Sequence, residues 1–188
     1  MYTASDLKNQ FLIAMPCMGD PNFNHTVTLI CQQSHEMGAF GLIINRPSGL
    51  TLGDLFKQLN INIEDPSMAI IPALTGGPVQ PEQGFVLHDT HKKWESTLSI
   101  TDELALTSSR DILVDIAKGE GPKHFLLALG CAGWAPGQLE KEIQENTWLT
   151  CPATDNILFD LPYKRRWQGA ADTLGIDLNL LSNVAGHA

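Results

Sequence analysis

The sequence predicts a mixed α+β fold in one domain, and three observations predict it. The chain has 188 residues with 43% hydrophobic and 18% charged side chains, the size and balance of a single globular unit. Short apolar runs closed by Pro, Gly or Asn recur along it, each as long as a buried strand. About four stretches carry helical spacing, and they do not alternate regularly with the strand-like runs, so a repeating βαβ architecture is excluded. No linker, low-complexity segment or internal repeat divides residues 1–188. At this length about 70% of the unfolded surface can be buried, so the core needs no disulfide or metal.

Taken in order, Asp6 to Gln10 reads as a polar turn and Phe11 to Met15 as a strand closed by Pro16. Thr26 to Gln32 and Ala39 to Asn45 read as the next two strands. Their short connections predict a meander. Thr51 with Asp54 has capping spacing, and Leu52, Leu55, Phe56 and Leu59 share a helix face that ends near Asn60. Ser67 to Pro72 reads as extended, and Thr75 to Val79 as a glycine turn. Gly84 to His88, Glu95 to Ile100 and Leu104 to Thr107 read as strands. Ser108 and Asp111 predict a capping box, with Ile112, Leu113 and Ile116 behind it and Gly119 to Pro122 as the stop. Phe125 to Leu129 is a strand, Gly130 to Gly137 a glycine-rich turn, and Gln138 to Glu145 a helix with Pro136 in its first turn. Trp148 to Cys151 is the last strand. Asp160 opens a helix with Pro162 in its first turn and Trp167, Ala170, Ala171 and Leu174 on one face; Gly175 ends it. The tail from Ile176 packs in part and frays after Val184.

The net charge of −9 argues against general nucleic-acid binding, which neutralises phosphates with Lys and Arg. The basic clusters, Lys92-Lys93 and Lys164-Arg165-Arg166, read as solvated surface. No apolar run approaches 18 residues, so no membrane helix is expected, and the N-terminus lacks a signal-peptide pattern, so the cytoplasm is. Cys17, Cys31, Cys131 and Cys151 form no C-x-x-C pair, and the six histidines form no H-E-x-x-H, so neither a metal nor a cofactor is expected.

Chemistry concentrates at Gly130-Cys131-Ala132-Gly133-Trp134-Ala135-Pro136-Gly137-Gln138. The segment fails both the Walker and the dinucleotide patterns. Its glycines still allow close backbone approach, and a helix start favours an anion. The same residues also make an ordinary strand-to-helix crossover with Trp134 packed on the surface. Cys131 is either a nucleophile awaiting His88 or His124, or a small buried apolar side chain. A second candidate joins Asn45-Arg46 to Gly76-Gly77. Arg46 is an anion clamp or a surface ion-pair partner, and Asn45 can be a simple turn former. Glu140 and Glu142 make a poor general acid–base pair, since residues two apart do not share a face, and read instead as solvated helix charges. Lys164 to Trp167 is a minimal basic-aromatic patch.

Phe11-Leu12-Ile13-Ala14-Met15-Pro16, Gly41-Leu42-Ile43-Ile44-Asn45-Arg46-Pro47, Gly76-Gly77-Pro78-Val79 and Gly130 to Glu140, in that order, resemble the motifs of the YqgE/AlgH family of bacterial proteins. The resemblance covers about residues 8–184. It implies a branched, bent, mixed β-sheet approaching a pseudo-barrel with about four helices around it. It carries over no catalytic residues. One branch is named as a transcriptional regulator of alginate production, which makes a regulator one alternative for this chain. The family often has Tyr or Thr where this chain has Cys131, which weighs against a mechanism built on the thiol. The expected function is a regulatory binding module that holds a small anionic ligand or a protein partner at Asn45, Arg46, Gly76, Gly77, Gly130, Cys131, Gly133, Trp134 and Gln138. The enzymatic alternative is a hydrolase or transferase at the Gly130–Gln138 corner.

Overall fold

A computed structural model of the chain describes residues 6–184. Strands β1 (Gln10–Ala14), β2 (Val27–Ser34) and β3 (Gly38–Ile43) pair antiparallel in sequence order, the expected meander. Strand β4 (Pro47–Thr51) follows. It was not legible in the sequence, because it begins on proline and holds Gly49 at φ +88°, both poor strand signals. Helix α1 (Leu52–Gln58) starts at the expected box: the Thr51 hydroxyl accepts from Asp54 N, and the Asp54 carboxylate accepts from Thr51 N at 2.8 Å. One turn, α2 (Pro66–Ala69), replaces part of the extended chain expected from Ser67. Asp65 caps it and Pro66 opens it, a strong local start signal.

Then come β5 (Pro72–Thr75), β6 (Val79–Asp89), β7 (Thr97–Ser99), β8 (Leu104–Thr107), α3 (Arg110–Lys118), β9 (Phe125–Trp134), α4 (Gln138–Gln144) and β10 (Trp148–Pro152). A π-helical turn (Asn156–Asp160) leads to α5 (Tyr163–Asp172) and α6 (Leu178–Val184). The cap of α3 is Ser109 rather than Ser108; its hydroxyl donates to Asp111 instead of bonding a helix N–H. Asp160 closes the π-turn, and Pro162 is the N-cap of α5 rather than part of its first turn. Six helices are present among the described residues, against about four expected; α2 and α6 are the additions. Leu178 packs as foreseen for the tail. The fraying expected after Val184 falls on residues 185–188, outside the described residues.

The strands form one sheet in the order β10-β1-β2-β3-β9-β6-β8-β7, with β4 and β5 off this path. Its branch is β9. The Phe125–Leu129 part pairs antiparallel with β6, and Ala132–Trp134 pairs antiparallel with β3. Strand β5 runs parallel to β9 at Ala128 and Leu129, which makes the sheet mixed. The whole curls into a half-barrel.

Both faces of the central strands are covered. Along β1, Phe11 and Ile13 join the large cluster that α5 completes, while Leu12 and Ala14 join another beneath α4. Along β6, Phe85 and Leu87 face the large cluster, and Val86 faces Leu52, Phe56, Ile112 and Ile116 of α1 and α3. Burial on both faces is why these strands read as continuous apolar runs.

Candidate functional site

The glycine turn expected from Gly130 to Gly137 is corrected by the structure. Strand pairing continues through it to Trp134. Gly130 sits at φ +74° opposite a bulge: between the pairs Val79–Cys131 and Gly84–Leu129, four residues of β6 face one of β9. Pro136 lies outside α4, whose N-cap is Gly137 at φ +78°. The apolar run of β9 simply extends across its glycines, because β3 supplies new ladder partners beyond the bulge.

The three expected segments meet at this branch. Thr75 N donates to Arg46 O, Gly76 N to Leu129 O and Ile43 N to Gly76 O, all within 2.8 Å. The room left by the glycines is filled by backbone. A Cβ on Gly77 would lie 2.1 Å from Cys131 O, one on Gly130 2.4 Å from Gly77 O, and one on Gly76 2.3 Å from Gly130 O. Gly133 differs: it is exposed, and its Cβ would touch nothing.

Asn45 and Arg46 fasten the loop before β2. Asn45 Oδ1 accepts from Val27 N and Nδ2 donates to His25 O, each at 2.9 Å. The Arg46 guanidinium donates to the carbonyls of Pro21, Asn22 and Asn24 and to Asn24 Oδ1. Its fork therefore engages carbonyls of its own chain, where the sequence offered an anion clamp or an ion pair with an acid.

Cys131 is buried, and burial raises its thiol pKa, as it does for Cys31. Such a thiol is a poor nucleophile. His88 is fully buried with both ring nitrogens engaged. Nδ1 lies 2.6 Å from Asp89 O; a carbonyl only accepts, so Nδ1 carries the proton. Nε2 therefore accepts from the Thr107 hydroxyl at 2.7 Å. His124 lies beside Asp89, its Nδ1 3.6 Å from Oδ2. Neither histidine makes a hydrogen bond to Cys131.

Burial lowers the His88 pKa below its ordinary 6.5. The unfolded chain then takes up its proton first as pH falls, so stability is lost from about pH 6.5 down to the lower folded value. The melting temperature of the wild type should fall more steeply between pH 7 and pH 5 than that of His88→Gln. Parallel pH profiles would contradict this assignment.

The residues after Gly133 form a buried cluster. Trp134 is 5% exposed rather than laid on the surface, and it stacks edge-on with Trp148. Both indole N–H groups donate to Glu142 Oε2, at 3.0 and 2.8 Å. Gln138 Nε2 donates to Glu142 Oε1 at 2.9 Å, and Glu140 accepts from Gln33 at 2.6 Å. The two glutamates are thus anchors of α4, not free solvated charges. Likewise Arg166, expected at the surface, is 2% exposed.

The sequence reading missed a cleft of about 270 Å³ between α1 and α3. Val86, Leu127 and Leu129 line its floor, with Leu55 and Leu59 on the α1 side and Leu113 on the α3 side. Its signal was present: of the four apolar residues on the α1 face, only Leu52 and Phe56 are in the core, and Leu59 stays 39% exposed. The rim carries Glu82 and Gln83 of β6, then Ser108, Ser109 and Arg110. Glu82 and Arg110 are the only charged residues in the lining, and Arg110 has no ion pair or side-chain hydrogen bond among the described residues. Gly84 also lines the cleft. It has the strand parity of Val86, and its Cβ would meet nothing within 4 Å.

Among the described residues no helix is long and apolar enough to cross a membrane, and no three His, Cys, Asp or Glu side chains are placed to hold a metal ion.

A family model described as AlgH-like matches residues 11–179. UPF0301 proteins of Methylococcus capsulatus and Thioalkalivibrio sulfidiphilus are 50% and 51% identical. The alignments cover 98% of this chain and 97% of the first, and 100% of both chains for the second. The solution structure of the AlgH protein from Pseudomonas aeruginosa superposes with a TM-score of 0.81 at 48% identity, covering 100% of this chain and 99% of that one. A Corynebacterium diphtheriae crystal structure shares the fold at 21% identity, with a TM-score of 0.72 over 97% of this chain and 94% of that one. With the branched half-barrel and the glycine-packed strand junction in place, these likenesses make the chain a member of the AlgH-like family.

Proposed function

We propose that the chain is a small-molecule-binding module whose site is the cleft between α1 and α3. The observation that carries this reading is the apolar lining of the cleft, in which the partly exposed Leu55, Leu59, Leu113 and Leu129 surround the buried Val86 and Leu127, with polar side chains at the edge on two sides. Concave apolar lining with a few polar groups at the edge is the common form of a ligand site. The lining holds no cysteine or histidine, and the Ser109 hydroxyl is tied to Asp111. That supports binding over hydrolysis or group transfer. A regulatory role would follow if an occupied cleft changes the surface that α1 and α3 present to a protein partner.

Gly84→Phe tests the site. The added ring projects into the cleft from a backbone that any residue can adopt, so the fold is retained. A metabolite thermal-shift screen should find a ligand that raises the wild-type melting temperature by about 5–10 °C at a hundredfold excess over its Kd. The same ligand should leave Gly84→Phe unmoved. A ligand that shifts both proteins equally places its site elsewhere.

A further inference from the structure

We infer that the cleft takes a single-chain amphiphile with an anionic head, its tail on the Val86–Leu127–Leu129 floor and its head at Arg110; this rests on the cleft being the ligand site. The lining divides by chemistry. Apolar side chains come from four elements, α1, β6, α3 and β9, and converge on one floor; the one buried polar residue there, Thr107, has its hydroxyl taken up by His88 and Thr97, and the free polar groups lie toward the edge. A ligand that satisfies both parts has an apolar body and one polar end.

The sign of that end follows from the rim. On the α3 side, the Arg110 guanidinium and the Ser108 hydroxyl stand two residues apart in the chain, both in the lining, and neither has a side-chain partner among the described residues. Together they offer a planar fork and a further donor, the groups that a carboxylate or phosphate accepts from. Asp111 is close in sequence, but its carboxylate is already occupied by Glu95 N, Ile112 N and the Ser109 hydroxyl. On the β6 side stands one carboxylate, Glu82; the Gln83 amide there donates its Nε2 to the carbonyls of Gly84 and Ser108. Glu82 repels an anion and so directs the head toward Arg110.

The test uses hexanoate, octanoate, octan-1-ol and octylammonium, titrated by calorimetry into the full chain and its Arg110→Gln, Glu82→Gln and Gly84→Phe variants. Octanoate should bind the wild type about threefold to tenfold tighter than the alcohol. Each methylene that reaches the floor should tighten binding about fourfold, separating octanoate from hexanoate. Arg110→Gln should remove the preference for the carboxylate, Glu82→Gln should widen it, and Gly84→Phe should abolish binding of every probe. Equal affinity for acid and alcohol, or tightest binding of octylammonium, would overturn the anionic head while leaving the cleft as the site. Failure of all probes to bind, or octanoate binding unaffected by Gly84→Phe, would overturn the cleft reading itself.

Discussion

Gly77→Ala and Gly130→Ala are each expected to cost about 4 kcal/mol or more of folding stability, read from urea denaturation. Each glycine has a backbone that L side chains rarely adopt, φ +152° at Gly77 and +74° at Gly130. Each Cβ would also fall inside the van der Waals contact of a backbone carbonyl on the opposite segment. Backbone cannot swing aside as a flexible side chain can, so relief would require the turn before β6 to separate from β9. That would disturb the point where β3, β5, β6 and β9 come together. Because both substitutions strain the same junction, the double variant should cost less than the sum of the two. Gly133→Ala is the control. It lies three residues further along the same strand, its Cβ meets open space, and it should change stability by about 0.5 kcal/mol at most. Near-wild-type stability for Gly130→Ala would show that the junction yields, and that close approach is not what requires the glycine.

Arg166→Ala should cost about 3 kcal/mol. The guanidinium is buried, and its pKa is pushed down by that burial to about 10, so the side chain still carries its charge at pH 7. Its hydrogen-bond partners are carbonyls: Nη1 donates to Ile44 O at 2.6 Å and Nε to Leu161 O at 2.9 Å. The plane also lies over the Tyr163 ring, 4.5 Å from its centroid. These contacts tie α5 to the end of β3 and must offset the cost of taking a cation out of water. Alanine removes the stem, the stack and both bonds, and leaves two carbonyls short of a donor. Arg166→Met keeps the stem and drops the charge, so it should cost less than alanine. Equal losses for Met and Ala in urea denaturation would assign the effect to the carbonyl bonds alone.

What the two parts of the problem contributed is visible residue by residue. The paired strands β1 to β3, the capping box at Thr51, the stop at Gly119 and the strand at Leu104–Thr107 were all legible, because each depends on neighbours within a few positions. So were the motifs that mark the family, and the glycines that any account of the fold has to explain. Their meaning was not. Gly130 looked like a corner because glycine usually marks one; here it lets β9 pass under a bulge of β6, and that bulge is set 50 residues away in the chain. Arg46 and Arg166 looked available because solvent is the default home of a guanidinium, yet carbonyls from the loop before β2, β3 and the start of α5 take them up. Strand β4 was hidden because its weak local preference is overridden by pairing with β5.

The cleft marks the same boundary. Sequence alone determined that Leu55, Leu59 and Leu113 are apolar positions on helix faces, with the periodicity of core residues. Periodicity states which way a side chain points relative to its own helix, not whether another element fills the space in front of it. Only the tertiary structure decided that α1 and α3 lie apart over β6 and β9, so that part of each apolar stripe lines an open cleft.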